Sequence, residues 1–240
     1  MDQAAKWNRP DLVTPETRMT TTDRSLPATP ALPGRRRSHR LMLAAALLPV
    51  VAWRPARAQA PAGQPLRPTP AQTEGPFYPV SLPADTDFDL LRQGGAAYAK
   101  GQPCWLDGLV RGTDGQPLAG AVVEIWQCDA EGHYRHPGDG DRADPAFQAF
   151  GRVVADAQGR YRFRTMRPVA YSGRTPHIHL KVKQGRRTLL TTQLYVAGDP
   201  GNAADFLWRR LSEADRAALT VPFTPGADGL RASFDIVVAA

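Results

Sequence analysis

From residue 103 onward, apolar and polar residues alternate with the period of two that a half-buried strand requires. "CWLDGLVRG" (104–112) and "AGAVVEIWQC" (119–128) flank "TDGQPL", whose Asp114–Gly115 pair is a strong turn signal. In the second run Val123, Ile125 and Gln127 face one way, while Val122, Glu124 and Trp126 face the other. "FGRVVADAQGRYRFRTM" (150–166) reads as a further hairpin around "DAQG". "HIHLKVKQGRRTLLTTQLYV" (177–196) reads as a third, turning at Gln184–Gly185, and "RASFDIVVAA" (231–240) as a last strand. One stretch departs from this rhythm: "DFLWRRLSEADRAAL" from Asp205 has helical spacing, with Ser212 and Asp215 as a capping pair. Short strands at regular spacing predict a mainly β protein. The expected fold is an antiparallel β-sandwich with a loop-rich N-terminal arm and one or two short helices.

The N-terminal quarter has a different pattern. A cationic cluster (Arg35, Arg36, Arg37, Arg40) precedes an apolar run from Leu41 to Trp53, and "ARA" at 56–58 offers small residues for cleavage. This is the layout of an export signal, and the apolar run is too short to span a bilayer. The paired arginines suggest the twin-arginine route. Residues 1–58 are therefore read as a disordered extension plus a signal peptide, with Met19 as an alternative start. Residues 59–72 read as a Pro-rich tether and residues 73–240 as one domain.

This division changes the meaning of the charge. The whole chain carries +7, but residues 1–58 hold ten of its 30 basic and four of its 23 acidic residues. What remains is 20 against 19, so the expected mature protein is close to neutral and gives no electrostatic reason to bind nucleic acid. Two cysteines, Cys104 and Cys128, sit at the ends of the first expected hairpin. An exported protein permits a disulfide between them, and two buried free thiols fit the same sequence.

Candidate chemistry centres on "AYSGRTPHIHLKV" (170–182). His177 and His179 are two apart on a strand and share a face, which makes them a ready pair of metal ligands. An HxH pair also occurs as an exposed polar edge, and spacing alone leaves both readings open. A carboxylate-assisted Fe(II) site is disfavoured, because no acid follows in "LKVKQGRR" and the nearest acids, Asp156 and Asp199, occupy a turn and a loop. Tyr171, six residues before His177, and Tyr134, in "WQCDAEGHYRHPGD", are the alternative donors. Phenolate is a hard anionic ligand that suits Fe(III), although a loop tyrosine more often serves packing or a hydrogen bond.

Three collinear segments, "VEIWQCDAEGHYRHPGD", "GRYRFRTMRPVAYSGRTPHIHLKV" and "TTQLYVAGDP", resemble the intradiol ring-cleavage dioxygenases. The resemblance is closest to the β-type subunits of protocatechuate 3,4-dioxygenase and runs from about Thr73 to Pro200. It implies one non-haem Fe(III) bound by Tyr134, Tyr171, His177 and His179. It also implies that Tyr171 is the ligand that leaves and takes a substrate proton. Arg174 and Gln193 match a supporting arginine and glutamine of the family, with Arg174 stabilising anionic character on the substrate. The implied reaction inserts O2 between the two hydroxyl-bearing carbons of a catechol-type aromatic, giving a cis,cis-muconate-type product.

Only "SGRTP" separates Tyr171 from the HIH segment, a shorter loop than β-type subunits have and one similar to exported single-chain members. No α-type partner is visible in the chain, so a homo-oligomer is expected. Two rival readings have different signatures. A non-catalytic exported binding module would hold no iron, and a zinc or copper HxH enzyme would carry another metal.

Overall fold

The computed structural model describes residues 64–239, so the expected export signal and the first part of the tether lie outside the described residues. The strands are β1 (Arg92–Gln93), β2 (Ala96–Ala97), β3 (Pro103–Gly112), β4 (Val122–Trp126), β5 (Phe150–Val154) and β6 (Arg160–Met166). They continue with β7 (His177–Gln184), β8 (Arg187–Val196), β9 (Thr220–Val221), β10 (Thr224–Gly226), β11 (Gly229–Ser233) and β12 (Ile236–Val238). Two short helices, α1 (Phe206–Arg210) and α2 (Glu213–Leu219), join β8 to β9.

β1 and β2 form a small separate ribbon, and the remaining strands form two five-stranded sheets. In one, β3 lies between β6 on one side and β11 and β12 on the other, with β10 outermost. The other runs β5–β4–β7–β8–β9. Alternation along each strand delivers Leu106, Val110 and Phe163 from the first sheet against Val123, Ile125, Ile178, Leu180 and Leu194 from the second, all fully buried in one core. The mainly β sandwich is as the alternation predicts.

Two of the three expected hairpins are corrected. β3 and β4 do not pair: they belong to different sheets, as do β5 and β6. The local turns form as read, with Gly115 at φ 79° and the Gln116 amide donating to Asp114 Oδ1 at 3.0 Å. Arg111 opposes Pro117 and the Leu118 amide still donates to Val110 O at 2.8 Å, but the chain then leaves the sheet. Gly120 at φ 75° redirects the backbone. The second crossover runs beside the first: the Gly120 amide donates to Ala155 O, and the Ala155 amide donates to Ala121 O. The β7–β8 hairpin forms as expected, with Gln184 opposite Arg187.

The sheets are not wholly antiparallel, since β11 and β12 run parallel to β3 and β9 runs parallel to β8. The expected last strand is split between β11 and β12, and Asp235 Oδ1 accepts the Leu109 amide at the break. The helical segment holds two helices, within the one or two expected. The first is capped by Leu211, and Ser212 caps the second, accepting the Asp215 amide at 3.1 Å. Cys104 and Cys128 are both buried and free, and the hairpin that would have placed them together does not exist. Burial pushes each thiol up to about 12, so neither is a reactive thiolate.

Gly108 marks the tightest approach within the first sheet. A Cβ there would stand 2.1 Å from the Phe234 carbonyl oxygen and 3.1 Å from Tyr161. Gly108→Ala is expected to destabilise the domain by about 3 kcal/mol, read as a lowered midpoint in urea unfolding.

Candidate metal centre

The outward face of the second sheet carries polar and aromatic side chains where an ordinary sandwich would carry solvated ones. Register places His179 between Trp126 of β4 and Gln193 of β8, and His177 opposite Tyr195. This face is covered by the arm at 73–78, by the β4–β5 connection that carries Tyr134, and by the β6–β7 connection that carries Tyr171. His177 and His179 are therefore each only 1% exposed, although they point away from the main core.

The two imidazoles converge, with Nε2 to Nε2 at 3.2 Å. His177 Nδ1 lies 2.6 Å from the Thr175 carbonyl oxygen, which only accepts, so that nitrogen carries the proton and Nε2 presents its lone pair. Trp126 stacks on His179 at 4.8 Å with an interplanar angle of 10°, which holds the ring against rotation. Burial first, and then the charge of Arg174, lowers the His177 imidazole to about 4; burial first, and then the neighbouring His177, holds His179 well below its ordinary 6.5. Both rings are neutral donors at pH 7.

Tyr134 and Tyr171 close the cluster. Their rings lie 4.9 Å apart, and Tyr171 is 5.4 Å from His177, while Tyr134 is 6.1 Å from His179. Tyr134 is held by two aspartates. Asp129 Oδ1 accepts the Glu131 and His133 amides, and Asp139 Oδ2 accepts the Tyr134 amide at 2.7 Å. Tyr134 is 2% exposed, yet its hydroxyl has no hydrogen-bond partner. Burial raises both phenols above the ordinary value of 10.

Tyr171 and Arg174 pair across a two-residue turn, with Ser172 at φ 37° and Gly173 at φ 76°. The short loop therefore sets the arginine beside the tyrosine. Arg174 Nη2 donates to Gln193 Oε1 at 2.7 Å, and Gln193 Nε2 donates to Thr73 O at 2.9 Å. The structure thus brings together all six residues singled out in the sequence. Asp199 stands apart, as does Asp156, each capping a local turn. Among the described residues, no group of three or more His, Cys, Asp or Glu side chains could hold a metal ion.

Four contributions were missed by sequence reasoning. Asp205, fully buried, accepts Arg174 Nε at 2.7 Å and the Thr175 amide at 3.0 Å through Oδ2, while its Oδ1 caps α1. An Asp opening a helical stretch signals a cap; that it also anchors an arginine 31 residues earlier carries no local signal. Phe77 stacks on Tyr134 at 4.7 Å, and a Cβ on Gly75 would stand 3.3 Å from His179 Cε1. Trp126 was read as facing the side opposite Val123 and Ile125, but not as a support for a histidine.

The residues fit a metal ion on physical grounds. A buried phenol without a partner, beside a lone pair from His177 and a second imidazole, is an unfavourable arrangement that a cation would satisfy. Two oxygen and two nitrogen donors suit a hard, highly charged ion, which alone would bring such buried phenols into their anionic form. A cavity of about 380 Å3 opens beside this cluster, lined by Phe77, Val80, Trp126, Tyr134, His136 and Phe150 among others.

Fold and site together define a β-sandwich protein with a buried two-histidine, two-tyrosine cluster under an N-terminal arm. The family model described as Dioxygenase matches residues 73–240, and the chain belongs to the intradiol ring-cleavage dioxygenase family. It is 35% identical to the protocatechuate 3,4-dioxygenase beta chain of Burkholderia cepacia over 68% of this chain and 76% of that one. It is 34% identical to catechol 1,2-dioxygenase 2 of Acinetobacter lwoffii over 63% of this chain and 58% of that protein. The chain spans 50% to 58% of the length of three catechol 1,2-dioxygenases that it matches. Among solved structures, the dioxygenase domain of a dioxygenase–carbohydrate-binding protein fusion from Streptomyces sp. SirexAA-E is 33% identical. That match has a TM-score of 0.57 and covers 71% of this chain and 97% of that one.

Proposed function

We propose that this protein is a non-haem Fe(III) dioxygenase that inserts O2 between the two hydroxyl-bearing carbons of a catechol-type aromatic, with a cis,cis-muconate-type product. The observation that carries the reading is the Tyr134 hydroxyl, buried without a partner in the same cluster as two converging histidines. Tyr134, Tyr171, His177 and His179 would hold the ion. Bound there, Fe(III) would act as Lewis acid and template, binding the substrate as a catecholate and activating it toward O2. The names of the relatives, which include catechol, protocatechuate and hydroxyquinol dioxygenases, support that substrate class.

The chain's own residues supply the rest. Tyr171 is less enclosed than Tyr134, so its phenolate oxygen is the one placed to receive a substrate proton. Arg174, fixed by Asp205 and Gln193, offers a preorganised cation to an anionic substrate in a dry site. Phe77 and Trp126 exclude water and give the aromatic ring flat apolar walls. Export by the twin-arginine route and assembly as a homo-oligomer complete the proposal. The first rests on the basic and apolar run at 35–58. Among the described residues no helix is long and apolar enough to cross a membrane.

Purified protein is expected to contain about one iron per chain, to be red-brown from phenolate-to-Fe(III) charge transfer, and to consume O2 with catechols. Removing the iron should abolish colour and oxygen uptake together, and re-adding it should restore both. A colourless, zinc-loaded protein that leaves catechol unchanged would overturn the reading.

A further inference from the structure

The arm that covers the site is held in an unusual way. Its backbone is bonded to the sheets at Gln72, whose amide donates to Thr191 O, and again at Thr86, whose carbonyl accepts from Arg152. Among the described residues, no backbone–backbone hydrogen bond outside helices and strands involves residues 73–85. Yet this stretch includes Gly75, packed on His179, and Phe77, stacked on Tyr134. Beyond the tie from Gln193 to Thr73, its position at 74–78 depends on side chains.

Two of those side chains reach charged partners on the sheet. The Tyr78 hydroxyl donates to Glu124 Oε2 at 2.9 Å. The Glu124 side chain is 0% exposed, and its other oxygen faces Lys183 Nζ at 3.4 Å and Arg152 Nε at 3.7 Å. Glu74 forms an ion pair with Lys181, whose Nζ also lies 3.4 Å from the centre of the Tyr78 ring and 5.7 Å from that of Trp126. Burial, and then the bond to Glu124, pushes the Tyr78 phenol well up, so it stays a donor at neutral pH. A carboxylate and an ammonium on one sheet face carry a desolvation cost that hydrophobic residues would avoid. Such groups suit the fixing of one register of a segment that has no ladder of its own.

We infer that Tyr78–Glu124 and Glu74–Lys181 form a two-pin clamp, with one pin on each side of Gly75–Phe77, that fixes the aromatic roof over the metal ligands and thereby sets substrate affinity. The four are positioning residues: none belongs to the donor set, and they act through Phe77 and Gly75. The inference rests on the proposed dioxygenase reading for its kinetic consequence, but not for its structural one.

The test uses iron-loaded full-length protein with Tyr78→Phe, Lys181→Met and the conservative Lys181→Arg. Tyr78→Phe and Lys181→Met are each expected to raise KM for catechol about tenfold with kcat within about twofold, and to leave iron content unchanged. Chymotrypsin cleavage after Phe77 should quicken in both variants, and Lys181→Arg should restore slow cleavage and KM. Unchanged KM and unchanged cleavage would overturn the clamp, leaving Phe77 stacking as sufficient. A uniform fall in iron content and thermal stability without a rise in KM would also overturn it, in favour of a merely structural role. If the wild-type chain consumes no O2 with catechol, the dioxygenase reading fails, and cleavage of the arm alone still decides the clamp.

Discussion

Tyr134→Phe is expected to lower turnover of a catechol by at least about a thousandfold and to remove most of the visible absorption, because it deletes one of the two anionic ligands proposed for the metal. The same substitution should not weaken the fold. The Tyr134 hydroxyl is buried and bonded to no protein group, so its loss breaks no hydrogen bond. A buried, unsatisfied hydroxyl costs about 1–3 kcal/mol, and phenylalanine would retain the stacking with Phe77 and the edge contact with Tyr171. The metal-free variant is thus expected to be more stable than the metal-free wild type, by about 1 kcal/mol in urea unfolding. With iron bound the order should reverse, since only the wild type gains the full binding energy of the ion. This crossover separates a ligand from a packing tyrosine. If Tyr134→Phe destabilised the metal-free chain, or left iron content and turnover intact, Tyr134 would not be a ligand.

How far the site could be read from the sequence depended on how local its parts are. A shared face for His177 and His179 follows from strand period alone, and so does the separation of Val123 and Ile125 from Glu124 and Trp126 on opposite faces. Tyr134 and Tyr171 could be assigned only through resemblance, because no period connects a phenol in one connection with an imidazole in another. The hairpin errors have the same origin. "TDGQPL" and "DAQG" specify turns, and the turns form, but a turn does not determine whether its second arm stays in the sheet. Gly120 and the pairing of the two crossovers decide that. Asp205 and the Tyr78–Glu124 contact bridge 31 and 46 residues of sequence, so neither leaves a local mark.

Asp205 is the anchor through which the fold controls its supporting arginine, and the second large effect is expected there. Its carboxylate accepts from Arg174 Nε, the Thr175 amide and two amides of α1. Burial pushes this carboxyl up, but the Trp208 amide and then Arg174 outweigh burial and hold it below its ordinary 3.8. A depressed carboxylate pKa stabilises the fold above the unfolded value, and that contribution is lost as pH falls through the folded one. Asp205→Asn keeps the shape but removes the ion pair, leaving a nearly buried guanidinium with Gln193 as its remaining side-chain acceptor. The expected cost is about 3 kcal/mol of stability at pH 7, with less of it visible below pH 3.8. Arg174→Gln should lower kcat/KM about a hundredfold or more, as the loss of a preorganised charge in a dry site does. Asp205→Asn should reproduce much of that loss, because an arginine free to turn toward solvent no longer faces the substrate. The double variant should then be little worse than Arg174→Gln alone, since the two residues act as one unit. Effects that multiplied in the double variant would show that Asp205 serves α1 and the 175 loop independently, and that Arg174 needs no anchor to do its work.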